Sequence, residues 1–117
     1  MASPQVNRRR RIERIYTSWR AGQLEARPRC EAGPLLEDAV AGGEEDAPAV
    51  VCRGRSEVLH HRRFLTHLGA KVSQVNTVAT CVPCHDLIHG YPKLAHLLGL
   101  IVREGDADWD ECGVSEA

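Results

Sequence analysis

The sequence predicts a small α+β domain organised around metal ligands. Three observations point there. Two short strand-like runs, 56–62 and 77–82, are followed at Pro83 by a helical segment. Five cysteines and six histidines crowd a chain of 117 residues. Aromatic side chains amount to one Phe, two Tyr and two Trp. A core of Leu, Val and Ala on so short a chain is thin, and domains of this size commonly need a metal or disulfides as a staple. The length fits one domain with extensions.

The first element is a helix over 7–21. Ile12, Ile15, Tyr16 and Trp19 recur at helical spacing with arginines between them, and Gly22 marks its stop. The apolar stripe packs on the core, and the arginines are either solvated or grip phosphates. Residues 31–49 are rich in Glu, Ala, Gly and Pro, and Gly42, Gly43 and Pro48 mark a loop. This stretch reads as an acidic insertion, which closure entropy tolerates. The two strands flank a broad loop, 63–76, containing Gly69. Pro83 suits the first turn of a helix reaching about His89, ended by Gly90 and Pro92. A short C-terminal helix covers Lys93–Leu98, with Leu94, Leu97 and Leu98 facing the core. The tail beyond Gly105 is acidic and expected to be mobile. The divisions are thus a basic helical extension (1–29), a metal-bearing domain (30–104) and an acidic tail (105–117).

Net charge is −1, but it is segregated. Residues 1–29 hold eight Arg against Glu13 and Glu25, whereas 30–50 hold six acids and no base. Residues 51–102 hold six bases against Glu57 and Asp86. A basic working face with acidic flanks suits a polyanionic partner. No apolar run follows the N-terminal arginines, so no secretory signal is expected. No stretch approaches the roughly 18 apolar residues of a membrane span. A cytoplasmic protein with reduced thiols is expected, in which clustered Cys points to metal or redox chemistry before disulfides.

Cys81-Val82-Pro83-Cys84 is a C-x-x-C knuckle, able to aim two thiolates at one tetrahedral ion. Cys30 and Cys52 can complete a closed structural zinc site with Zn–S bonds of about 2.3 Å. The competing reading is a thioredoxin-like redox pair, which requires a βαβ pattern that the chain lacks. Cys112, in the acidic tail, is assigned no part.

His60 and His61 are adjacent near the end of a strand, so they face opposite sides and have different jobs. His85 and His89 share one helical face, a spacing that places two imidazoles near one cation. Cys84 and His85 are neighbours, so one helix start can serve two sites. His67 and His96 are assigned no role.

The order Glu57-Val58-Leu59-His60-His61, then Asn76, then Cys81-x-x-Cys84-His85 and His89 resembles the HNH, or ββα-metal (His-Me finger), endonuclease motif over about residues 52–90. Arg29-Cys30-Glu31-Ala32-Gly33-Pro34 and Gly99-Leu100-Ile101-Val102 are similar, more loosely, to small HNH proteins of bacteriophages of actinobacteria. The resemblance implies a ββα-metal core in an HNH nuclease domain at 30–104, and hydrolysis of DNA phosphodiester bonds to 5′-phosphate and 3′-hydroxyl ends. His61 resembles the general base, and a pKa near 6.5 suits that task. His60, His85 and His89 resemble the ligands of the catalytic cation, with His89 alternatively a phosphate contact. Asn76 resembles the residue whose amide pins the loop and orients the base. Arg62, Arg63 and Lys71, beside the base, are expected on the DNA backbone.

Many relatives carry Asp at the position of His60. An imidazole-rich shell favours transition metals over Mg²⁺, so the catalytic divalent cation is one of Mg²⁺, Mn²⁺, Ni²⁺ or Zn²⁺. Small phage proteins of this kind assist genome packaging beside a terminase, a setting the resemblance implies here, in a host-cell cytoplasm. A chain this short is expected to nick with little specificity or to cut both strands as a homodimer. The main competing reading is a non-catalytic zinc-containing DNA-binding module, which would have no need of His61.

Overall fold

The N-terminal helix begins where its cap residues place it. Ser3 accepts a hydrogen bond from the Val6 N–H and Pro4 occupies the first turn. In the computed structural model, which describes residues 3–43, 49–63 and 68–114, this helix, α1, spans Pro4–Ala26. It runs through Gly22, the expected stop, and ends at Arg27, which the following Pro28 holds out of helical geometry. Pro48 and His67 lie outside the described residues.

The stretch expected as an insertion loop is half helix. Helix α2 spans Ala32–Ala41 and buries Ala32, Gly33, Leu36 and Ala39 along one side. This is a correction: Glu37 and Asp38 lie outward, and a narrow stripe of Ala, Gly and Leu faces the core.

Strands β1 (Val58–His61) and β2 (Thr77–Thr80) pair antiparallel, with His60 opposite Val78 and His61 opposite Thr77. Between them, the expected loop contains a short helix, α3, at Leu68–Lys71. The free edge of β2 is covered by residues 27–31. Arg27 Nη2 donates to Thr77 O (2.8 Å), Ala79 N to Glu31 Oε1 (2.8 Å), and Glu31 N to Ala79 O (2.7 Å). Edge pairing of this kind removes an open template for aggregation.

Helix α4 spans Val82–Gly90 and α5 spans Pro92–Leu97. Gly99, at φ 77°, closes α5 with Leu100 N bonded back to Ala95 O. Leu97, expected in the core, is 67% exposed, and Ala95 is buried in its place. The core gathers Cys30, Ala32, Leu36, Cys81, Cys84, Ile88, Ala95 and Leu100. Sulfur is thus a structural part of it.

The acidic tail is docked. A 3-10 turn at Glu111–Gly113 buries Cys112. Arg63 lies 4.0 Å over the Trp109 ring, and Arg62 pairs with Asp108. The mobile tail expected from composition is therefore corrected for residues 106–114: one aromatic ring, one thiol and two arginines from the β1 end hold it. No described helix is long and apolar enough to cross a membrane.

Candidate metal centres

Four thiols meet where α2, the 52–54 turn and the start of α4 converge. The Sγ atoms of Cys30, Cys52, Cys81 and Cys84 all lie within 4.8 Å of one another. Thiolates around one tetrahedral zinc stand about 3.8 Å apart, so the four need only small movements to share an ion. The two distant ligands are brought in by backbone geometry. Cys30 N donates to Gly54 O, and Gly54, at φ 78°, turns the chain so that its N–H reaches Cys52 Sγ (3.3 Å). The next donor, Arg53 N, reaches Cys81 Sγ at 3.4 Å.

These N–H groups matter because thiolates need donors. Burial pushes the Cys81 thiol up, but the N–H groups of Arg53 and Cys84 more than offset it, leaving Cys81 below its usual range. Burial and the proton shared with Cys81 push the Cys84 thiol up, and burial does the same to Cys52. Four packed thiols cannot all ionise unaided; a divalent cation reverses that balance.

Gly33 lets α2 approach this cluster. A Cβ there would come inside 3 Å of Cys52 Sγ, 3.3 Å from Cys52 Cβ and 3.7 Å from Cys30 Sγ. The donor set and the glycine cradle both fit a bound metal ion. Sequence reasoning did not single out Gly33; its spacing from Cys30 carries no distinctive signal.

Glu57 organises the same corner. Its Oε1 accepts from Val82 N (3.1 Å), the first residue of α4, where Cys81 offers no side-chain cap. That hydrogen bond, with Arg53 beside it, holds the Glu57 carboxyl below the usual carboxylate range.

A second cluster lies across β1 and α4. Donor nitrogens of His60, His85 and His89 also all lie within 4.8 Å of one another. Ring centroids are 5.3 Å apart for His60–His85, 5.7 Å for His60–His89 and 4.5 Å for His85–His89. His60 is buried, His85 half-buried and His89 exposed, so the cluster opens to solvent on the His89 side. His60 Nε2 stands 2.6 Å from Leu100 O. A carbonyl only accepts, so Nε2 carries the proton and Nδ1 keeps its lone pair. A backbone carbonyl on the far nitrogen is the usual support of a metal-ligating imidazole. His85 Nε2 and His89 Nε2 are 3.0 Å apart, within the about 3.0–3.4 Å expected for two nitrogens on one ion. Burial pulls His60 down to about 4, and burial also lowers His85; both are therefore neutral and available as ligands near pH 7.

His61 stands outside this trio, as strand alternation requires. Its ring lies 5.6 Å from that of Tyr16 on α1, and Nε2 donates to Lys71 O (2.9 Å). Burial lowers its pKa. Asn76 is fully buried between the strands. Its Oδ1 accepts from Arg63 N (2.7 Å), and Nδ2 donates to Ala70 O (2.8 Å). Asn76 thereby fixes the 70–71 peptide whose next carbonyl holds His61. The link is indirect, through α3, and the Tyr16 contact had no sequence signal at all.

The three basic residues expected on DNA are engaged inside the fold. Arg62 donates to Gly99 O (2.8 Å) and Val75 O (3.0 Å) besides pairing with Asp108. Arg63 donates to Trp109 O (2.9 Å), and Lys71 pairs with Glu13 at 2.7 Å. Acids of the docked tail and of α1, and carbonyls at Val75, Gly99 and Trp109, take the place of phosphates. Cys112 stays apart from the thiol cluster, 3.6 Å from Arg62 Nη1. His96 pairs with Asp106 at 2.8 Å.

The molecule is thus a mixed α+β protein with a two-stranded sheet and a four-cysteine cluster that can hold a metal ion. Comparison of the chain with family models, curated proteins and solved structures finds no match.

Proposed function

We propose that the protein is a metal-dependent endonuclease of the HNH, ββα-metal class, hydrolysing DNA phosphodiester bonds. The observation that carries this reading is the contrast between two donor sets sharing the start of α4. Four thiols are enough to fill a tetrahedral shell, whereas three imidazoles would leave a position for water or substrate. Closed sulfur sets are structural and zinc-like; three-ligand sets with an open position are the catalytic arrangement. The order strand β1, strand β2, helix α4 supports this reading, since the HNH motif runs strand, strand, helix.

On this reading Cys30, Cys52, Cys81 and Cys84 hold a structural Zn²⁺, and His60, His85 and His89 hold the catalytic cation. When bound, that cation supplies charge to neutralise the scissile phosphate and the departing 3′ oxygen. His61 keeps its Nε2–H on Lys71 O, so Nδ1 presents the lone pair that takes the proton of the attacking water. Burial lowers its pKa, which keeps the ring unprotonated and able to accept a proton at neutral pH. Asn76 is a positioning residue, holding the peptide next to the one whose carbonyl fixes the His61 tautomer. Packaging of phage DNA beside a terminase belongs to the same proposal, and co-purification with a terminase subunit tests it.

The deciding experiment is plasmid cleavage across Mg²⁺, Mn²⁺, Ni²⁺ and Zn²⁺, with His61→Ala as control. Cleavage by the wild type and its loss in the variant are expected, typically by 10² or more for a positioned base. Equal cutting by both removes His61 from the reaction. Binding without cutting under every metal leaves the non-catalytic zinc module.

A further inference from the structure

We infer that α1 is the phosphate-binding arm of the protein, and that Arg8, Arg9, Arg10, Arg11 and Arg14 hold the backbone of duplex DNA flanking the cleaved bond. The inference rests on the nuclease reading for the identity of the polyanion and replaces Arg62, Arg63 and Lys71 as the DNA contacts.

Arg29, Lys93 and Arg103 aside, the basic side chains divide into two groups. Arg20, Arg27, Arg53, Arg55, Arg62, Arg63 and Lys71 each have a carbonyl or carboxylate partner. The five arginines near the start of α1 are exposed, and among the described residues none has a hydrogen-bond or ion-pair partner. Glu13, the acid among them, is taken by Lys71. Repulsion is therefore uncompensated: Arg8 and Arg11, Arg11 and Arg14, and Arg10 and Arg14 stand at i,i+3 or i,i+4, pairings that work against the helix. An anion removes that penalty.

The dimensions match. From Arg8 to Arg14 the helix rises about 9 Å, a span along which duplex DNA places about five phosphates counted over both strands, one for each guanidinium. Arg9, Arg10 and Arg14 line a shallow groove with Asn7 and with Glu13, whose carboxylate is paired with Lys71, and Arg11 and Arg14 line the adjoining one with Ile15, Ser18 and Trp19. These add amide and hydroxyl donors, the usual backbone contacts beside arginine. Tyr16, which touches the His61 ring, lies two helical turns from Arg9 on the same side. A backbone held at Arg9 thus lies on the side of α1 that faces His61.

The test is fluorescence anisotropy of a labelled 20-base-pair duplex across a salt series. It uses a His61→Ala background so that cleavage does not intervene. One partner variant carries all five arginines as Ala and another all five as Lys; both substitutions keep helix propensity. Circular dichroism and bound zinc check folding. Each lost phosphate contact lowers the slope of log K against log salt by about 0.9, so the Ala variant, losing five contacts, should lose about 4 to 5 units of slope. The Lys variant should keep most of it, and Lys93→Ala with Arg103→Ala should lose under 1. An unchanged slope in the Ala variant overturns the inference, as does wild-type binding to phosphatidylserine vesicles but not to the duplex. If plasmid cutting persists while the slope does not move, the arm fails and the nuclease stands. If the slope falls but no metal supports cutting, the arm stands and the nuclease fails.

Discussion

Gly33→Ala offers a sharp test of the sulfur cluster, because its expected sign opposes the ordinary one. Replacing a helical glycine by alanine usually stabilises by about 0.4–1 kcal/mol, since the unfolded chain loses freedom. Gly22 in α1 meets that condition: a Cβ there touches nothing within 4 Å. At Gly33 the new Cβ would press inside 3 Å of Cys52 Sγ, and the sulfur must move by several tenths of an ångström. Metal–ligand distances tolerate only about 0.2 Å, so relief of the clash takes Cys52 off the ion. Overpacking alone costs about 1–3 kcal/mol, which at roughly 4 °C per kcal/mol lowers the melting temperature by about 4–12 °C. The assay pairs thermal unfolding with zinc stoichiometry for both variants. Gly22→Ala should melt slightly higher with full zinc; Gly33→Ala should melt lower and retain less metal. If Gly33→Ala follows Gly22→Ala in both readouts, the four thiols do not converge on an ion beneath α2.

Two further outcomes are expected. His60, 4% exposed, has its pKa lowered to about 4, so protonation favours the unfolded chain. Its contribution is fully present above pH 6.5 and is lost as pH falls from there through 4. With the imidazole site cleared of metal by a mild chelator, urea unfolding should show a loss of about 2 kcal/mol between pH 7 and 5 that His60→Gln lacks. Asn76→Ala leaves the Arg63 N–H and the Ala70 carbonyl without their side-chain partner, and should cost about 2–4 kcal/mol in urea.

The sequence was most legible where local periodicity and site geometry coincide. His60 and His61 fall on opposite faces because a strand alternates, and His85 and His89 converge because a helix repeats. Both are short-range facts. Helix α2 was hidden because its buried stripe is Ala32, Gly33, Leu36 and Ala39: three of the four are small residues common in loops, and Leu36 alone gives no periodicity. The tail was hidden because its acidity outweighed Trp109 and Cys112, the two side chains that anchor it. Arg62 and Arg63 illustrate a deeper limit. An arginine beside a candidate base looks the same in sequence whether it faces a phosphate or a carbonyl some 37 to 46 residues away. Only the tertiary arrangement decides which partner it meets.

The two donor sets should also differ in what their removal does. The thiol cluster joins three separate stretches of chain, at Cys30, at Cys52 and at Cys81–Cys84, within the hydrophobic core. Zinc held by such a set contributes about 10–16 kcal/mol in small domains, comparable with the whole stability of a domain, about 5–15 kcal/mol. The imidazole set joins only β1 and α4, which already pack together, and it opens at the exposed His89. Mild chelation should therefore clear the imidazoles and leave the circular dichroism unchanged. A mercurial that displaces thiol-bound zinc should collapse the fold. The coupling runs one way, because Cys84 fixes the helix turn that presents His85. Cys84→Ser should abolish Ni²⁺ binding at the imidazoles, whereas His85→Ala should keep one equivalent of tightly bound zinc and melt within a few degrees of wild type. Wild-type melting and undiminished Ni²⁺ binding in Cys84→Ser would mean that the sulfur cluster does not support the imidazole site.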